Sequence, residues 1–197
     1  ARSTLADANE KRDWRIYRDL ALSLIQIGHR LYAGKDFGVE LKNTAYALDT
    51  TTIDLSLALF PWAHFRKAKA AVKLHTLLDL RGNIPTFIHI SDGKLHEVNV
   101  LDQIAFEAGS FYVMDRGFLD FGRLHALHRA QAFFVIRAKS NLQYRRLYSH
   151  PIDKASGLRC DQTVVLTGVQ SCTEYPPPLR RIKFYDATHD KLLVFLT

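Results

Sequence analysis

From residue 45 to residue 57 the chain reads Ala-Tyr-Ala-Leu-Asp-Thr-Thr-Thr-Ile-Asp-Leu-Ser-Leu. No other stretch constrains the fold as strongly. Its apolar and β-branched flanks suit a buried strand. Asp49 stands in its middle, and an ionised carboxylate inside a core strand is costly unless something compensates its charge. A metal ion is the natural counter-charge. Asp54, on the same run, is the nearest competitor for that role, and strand alternation sends positions 49 and 54 to opposite faces. A second apolar run, Phe111 to Met114, ends in Asp115. The expectation is that two strands deliver Asp49 and Asp115 to one cation site. Asp115 precedes Arg116-Gly117, so it also suits a turn or a helix N-cap. Asp49 does not, because Ile53, Leu55 and Leu57 continue the strand pattern beyond it.

The chain has 197 residues, of which 47% are hydrophobic and 24% charged. That is enough for one domain with a real core, or one domain plus an insertion. No apolar run is long enough for a transmembrane helix, and no signal-peptide pattern is present. Two cysteines, Cys160 and Cys172, are too few for a disulfide framework, so reduced thiols and a cytoplasmic location are expected. The net charge of +7 favours polyanions, and nucleic acid is the commonest of these in a cell.

Between about Leu5 and Tyr32, Tyr17, Leu20, Leu24, Ile27 and Leu31 recur at three- and four-residue spacing, which predicts a packing helix. Gly34 and Gly38 mark a connector. After the Asp49 strand, Pro61 breaks the pattern, and Phe60-Pro-Trp62 runs into a basic cluster. Arg66, Lys67, Lys69 and Lys73 are candidate phosphate contacts, with Trp62 as a candidate base-stacking residue. A solvated basic loop over tucked aromatics accounts for them equally well. Ala71 to Leu80 and Pro85 to Ser91 form a hairpin around Arg81-Gly82-Asn83, and His75 and His89 read as packed strand histidines. Asn99 suits the N-cap of a short helix to about Glu107, with Asp102 three residues on. Gly109 ends it. Phe118 to Ala130 is a further helix with Phe121, Leu124 and Leu127 inward and His125 and His128 at the surface. Ala132 to Ala138 is a fifth strand. Beyond Lys139 only short strands (Thr163 to Thr167, Ile182 to Tyr185, Leu192 to Leu196) and turns are evident, with basic pairs at Arg145-Arg146 and Arg180-Arg181.

The predicted order is β-β-β-α-β-α-β followed by a β-rich segment. Short turns give an antiparallel meander, and the strand–helix–strand steps need right-handed crossovers with parallel pairing. This is an α/β fold with the ribonuclease-H-like mixed sheet and a β-rich insertion at its C-terminal end. In that order the Asp49 and Asp115 strands are neighbours. The expected organisation is an N-terminal helix and connector (1–43), the mixed-sheet core (44–140) and a β-rich subdomain (141–197).

Four segments carry a family likeness: Tyr46-Ala-Leu-Asp-Thr-Thr-Thr-Ile-Asp54, Phe60-Pro-Trp62, Val72-Lys-Leu-His-Thr-Leu-Leu-Asp79 and Tyr112-Val-Met-Asp-Arg-Gly117. With them the sequence resembles the DDE transposases of bacterial insertion sequences, specifically the insertion-sequence-four family. The resemblance implies that Asp49 and Asp115 are the first and second catalytic acids and bind Mg²⁺, with Mn²⁺ as a substitute. It implies DNA partners (transposon ends and target) and a homodimer on DNA. The family's third acid is a Glu in a Tyr-x-x-Arg-Trp-x-x-Glu motif. This sequence does not contain that motif, and Glu174 before Tyr175-Pro-Pro-Pro lacks its helical setting. The implied chemistry is phosphodiester hydrolysis at the element's ends, then strand transfer, with little or no activity expected of this chain alone.

Overall fold

The computed structural model describes residues 2–13, 15–34, 41, 43–55, 64–66 and 69–197. The chain opens with α1 (Arg2–Lys11) and α2 (Arg15–Tyr32). One helix is expected here and two are found, because the Asp13 carboxylate accepts the Arg15 backbone N–H and starts a new helix. The apolar stripe of α2 is exposed along Tyr17, Leu20, Leu24, Ile27 and Leu31. The helix touches the sheet through its other residues: His29 Nε2 lies 3.1 Å from the Pro85 carbonyl, and Gly28 lets Ile84 approach.

The sheet is built from β1 (Ala45–Leu55), β2 (His64–Arg66), β3 (Lys69–Asp79), β4 (Ile84–Asp92), β5 (Phe111–Met114), β6 (Phe133–Arg137), β7 (Tyr144–Ser149), β8 (Leu158–Leu166), β9 (Leu179–Asp186) and β10 (Lys191–Leu196). The path runs β2-β3-β1-β5-β6-β10-β9-β8-β7, and β4 pairs with β3. β1 is antiparallel to β3 and parallel to β5, and β5 is parallel to β6. The order β4-β3-β1-β5-β6 is the ribonuclease-H-like arrangement. The later strands continue the same sheet, because β10 pairs antiparallel with β6 at Phe195–Arg137 and Leu196–Ile136. β7 has no sequence signal: all six of its residues are exposed, so no apolar alternation marks it. A short helix, α4 (Val169–Glu174), also lies in this region, where the sequence suggests none.

Helix α3 (Phe121–Arg129) crosses between β5 and β6. It starts at Asp120, whose side chain accepts the Arg123 N–H, and it buries Leu124 and Leu127. The segment expected to start at Asn99 is a 3₁₀ helix, Glu97–Gln103, with His96 at its N-cap. The Asn99 and Asp102 side chains accept hydrogen bonds from the Arg123 guanidinium instead. A tertiary ion pair has taken over groups that local sequence would assign to a cap.

One face of the central strands holds the core. Tyr46 and Leu48 of β1 lie beside Tyr112 and Met114 of β5 and Phe134 and Ile136 of β6. Val100, Leu101, Phe118, Leu124 and Leu127 cover them. The other face carries Ala47, Val113 and Phe133. Val113 is 39% and Phe133 49% exposed, so among the described residues this face is only partly covered.

Candidate functional site

Asp49 and Asp115 stand at neighbouring positions where β5 ends beside β1. The parallel β1–β5 register pairs Ala45 with Phe111, Tyr46 with Tyr112, Ala47 with Val113 and Leu48 with Met114. The next step along both strands sets Asp49 beside Asp115. Alternation puts both on the face of Ala47 and Val113, opposite the core. The register is held locally by the Tyr46 and Tyr112 rings, which stack at 5.2 Å, and by the Tyr46 hydroxyl, which donates to Glu107 at 2.7 Å.

The expected burial of Asp49 is not found. From Thr51 to Asp54 the strand is exposed, and Asp49 is exposed with it. Charge is therefore not forced on a dry core. Asp49 lies within β1 at the level where β5 ends and Asp115 follows, and both residues are exposed, so their oxygens can reach a ligand. Asp115 is the N-cap of a 3₁₀ turn, Arg116–Phe118, and its Oδ1 accepts the Gly117 N–H. The turn role and the site role of Asp115 thus coexist. Among the described residues the Asp49 carboxylate makes no hydrogen bond and no ion pair. A salt bridge to Lys73 would explain a purely structural acid, but that lysine is engaged elsewhere. Its ammonium donates to the Leu95 carbonyl at 2.9 Å, lies 3.6 Å from Glu97, and belongs to a side chain only 13% exposed.

Trp62 and Lys67 lie outside the described residues, as do the side chains of Arg66 and Lys69. Lys73 is the one member of the predicted DNA-contact set whose side chain is described. Asp54 is paired with Ala71 in the β1–β3 register, which confirms that it faces away from Asp49.

Two residues near the acids add to the site, one without a sequence signal and one, His75, expected as a packed strand histidine. Glu97 opens the 3₁₀ helix and its side chain approaches Gly117. A Cβ at Gly117 would stand 2.7 Å from Glu97 Oε2 and 2.9 Å from Asp115 Oδ1. Nothing in its sequence context, a residue shortly after an Asp-Gly turn, marks it out. Behind β1, His75 is fully buried between two hydroxyls. Thr50 Oγ1 lies 2.8 Å from its Nδ1 and Ser91 Oγ 2.9 Å from its Nε2. Ser91 donates to the Asp92 carbonyl, so the set closes with neutral His75 protonated on Nε2. Burial, with help from His89 and the Lys73 charge, holds its pKa below the usual histidine range. This cluster fixes the residue after Asp49 to β3 and β4.

Two adjacent carboxylates with open lone pairs are hard oxygen donors, which suits a divalent cation such as Mg²⁺. The described residues hold no group of three or more His, Cys, Asp or Glu side chains close enough to bind a metal. The fit is therefore to part of a ligand set.

A family model, Transposase DDE domain, matches residues 41–186. The chain belongs to the DDE transposases. Curated relatives agree. A Sinorhizobium fredii protein named as a transposase is 29% identical over 148 residues, covering 74% of this chain and 41% of its own length. A Geobacillus stearothermophilus protein, named as the transposase of an insertion sequence element, is 27% identical over 64% of this chain and 33% of itself. A Synechocystis protein with a similar name is 27% identical over 74% of this chain and 41% of itself. The matched segments thus cover well under half the length of these relatives. Among the described residues no helix is long and apolar enough to cross a membrane.

Proposed function

We propose that this chain is part of a transposase that cleaves DNA at the ends of an insertion sequence and joins the freed ends to target DNA. The observation that carries this reading is the register that sets Asp49 beside Asp115 where β5 ends, both exposed, with no cation among the described residues paired to Asp49. Asp49 and Asp115 hold a divalent ion, Mg²⁺ or Mn²⁺. When bound, it neutralises charge at the scissile phosphate and favours the ionised form of the attacking oxygen. Asp49 offers both carboxylate oxygens. Asp115 offers Oδ2, because Oδ1 accepts the Gly117 N–H.

Binding of DNA falls to cationic surface. Arg66, Lys67 and Lys69 with Trp62 are proposed to meet the duplex. A second basic area lies on β7 and β9. Arg145 and Arg146 are exposed, and the Arg181 guanidinium stacks 4.8 Å over the Tyr144 ring. We read residues 141–197 as the β-rich insertion of the core, and the protein as a homodimer on DNA in the cytoplasm.

Insertion-sequence transposases of this kind use a third acid, a Glu that this sequence does not supply in its expected motif. The chain by itself is therefore proposed to bind a divalent ion weakly and to cleave little or no DNA. Calorimetric titration with Mn²⁺ tests the site. Heat of binding is expected from the wild-type chain and is lost in both Asp49→Asn and Asp115→Asn. Binding that survives both substitutions would refute the assignment, and robust Mg²⁺-dependent plasmid cleavage by the purified chain would refute its inactivity.

A further inference from the structure

The half-buried Lys73–Glu97 contact is not needed by the functional reading given above, yet it ends against the second acid. Three observations define it. Glu97 Oε2 and Asp115 Oδ1 flank the same empty side of Gly117, each within 3 Å of where a Cβ would be. The Asp115 Oδ1 atom is also the acceptor of the Gly117 N–H. The other oxygen of Glu97, Oε1, lies 3.6 Å from Lys73 Nζ, which donates its hydrogen bond to the Leu95 carbonyl.

Each observation has a physical consequence. A Cβ at position 117 would stand against the ends of both carboxylate side chains, which would have to shift to admit it. Two like charges so close repel, which makes the pocket between them electronegative. The only described cation paired to either is Lys73, and 3.6 Å is too long for a strong hydrogen bond. Lys73 thus offsets the charge of Glu97 without gripping it. Glu97 takes its place from the backbone, as the first residue of the 3₁₀ helix.

We propose that Glu97 is a positioning residue for the metal-holding acid Asp115. Its carboxylate closes off the Oδ1 side of Asp115 by bulk and by charge. That leaves Oδ2 as the oxygen available to a cation, and it adds negative potential that draws a divalent cation to the pair. Lys73 tempers this potential, so the two residues act in opposite directions. The inference rests on Asp49 and Asp115 being the acids that hold the cation.

The opposition in sign gives the test. Mn²⁺ affinity is measured by electron paramagnetic resonance on the whole chain for wild type, Glu97→Gln, Lys73→Met and Asp49→Asn, with urea unfolding midpoints in parallel. Glu97→Gln keeps the shape and removes the charge, and it is expected to weaken Mn²⁺ binding about tenfold, as loss of a group behind a metal ligand typically does. Lys73→Met keeps the stem and removes the opposing charge, and it is expected to tighten binding about threefold. A merely structural role would make both substitutions lower the affinity and the unfolding midpoint together. That result overturns the proposal, as does an unchanged affinity in Glu97→Gln while Asp49→Asn abolishes binding. No Mn²⁺ binding by the wild-type chain, or binding untouched by Asp49→Asn, overturns the site assignment and this inference with it.

Discussion

Replacing Asp49 by Asn should make the metal-free protein more stable, not less. Asp49 is exposed and its carboxylate has no hydrogen-bond or ion-pair partner among the described residues, so truncating its charge breaks no contact. It does remove a repulsion. Adjacent strands are about 4.8 Å apart, which places the Asp49 and Asp115 carboxylates about 6 Å from each other. Two unit charges at that distance repel by about 0.7 kcal/mol at the dielectric of water, and by about 1.4 kcal/mol at half that value. For a chain of this length the smaller figure corresponds to a rise of about 1.5–3 °C in Tm. Urea unfolding in EDTA at low ionic strength, where screening is least, measures the change. Repeating it in Mn²⁺ completes the argument. A cation bound only by the native state adds about 2.7 kcal/mol at a hundredfold excess over its Kd. That increment should vanish in Asp49→Asn. A loss of more than about 1 kcal/mol in EDTA would refute the reasoning, since substitutions at exposed, unpartnered sites normally stay within about half that. So would a Mn²⁺ increment equal to that of wild type.

Two further expectations concern the scaffold. Asp161 is 7% exposed and receives two hydrogen bonds from Arg180, Nε at 2.9 Å and Nη2 at 2.5 Å. Breaking a fully buried pair costs about 3–5 kcal/mol, but Arg180 is more than half exposed, so Arg180→Ala should cost about 2 kcal/mol. The double variant Arg180→Ala/Asp161→Asn should recover part of the loss in urea unfolding, and no recovery would mean that the pair is not the cause. His75 has its pKa held below the usual range by burial, so the unfolded chain binds a proton there before the native chain does. Stability from this residue is complete above the unfolded pKa of about 6.5 and declines as pH falls below it, with a limiting slope of about 1.4 kcal/mol per pH unit. His75→Gln should flatten the profile between pH 7.5 and 5.5, and a profile unchanged from wild type would exclude His75 as its source.

The strand order, and with it the β1–β5 neighbourhood, was legible because its signals are local. β-branched runs and Gly-containing turns mark β1, β3, β4, β5 and β6, and crossover rules then leave few ways to arrange them. What was not legible depends on distant partners. Asn99 and Asp102 look like cap residues, and only Arg123, on another helix, shows otherwise. The stripe on α2 has a helical period that says nothing about whether a partner covers it. β7 lies at the sheet edge with every residue exposed, so its pairing with β8 rests on backbone hydrogen bonds that leave no pattern in residue type. Glu97 reaches Gly117 only through the fold. The burial of Asp49 was misjudged for a related reason: the apolar residues after it belong to a strand end that projects past the core.

The parallel pairing of β1 with β5 also bears on how the protein folds. The β3–β4 hairpin closes around the four residues 80–83, whereas Asp49 and Asp115 lie more than sixty residues apart. Closing the longer loop costs about 2.5 kcal/mol more in chain entropy. Contacts of such long range slow folding. The hairpins on either side can form from neighbouring sequence, but the carboxylates come together only when the middle of the sheet closes. A nascent chain released before Phe111 carries Asp49 without its counterpart, so competence to capture a cation reports completion of the central sheet.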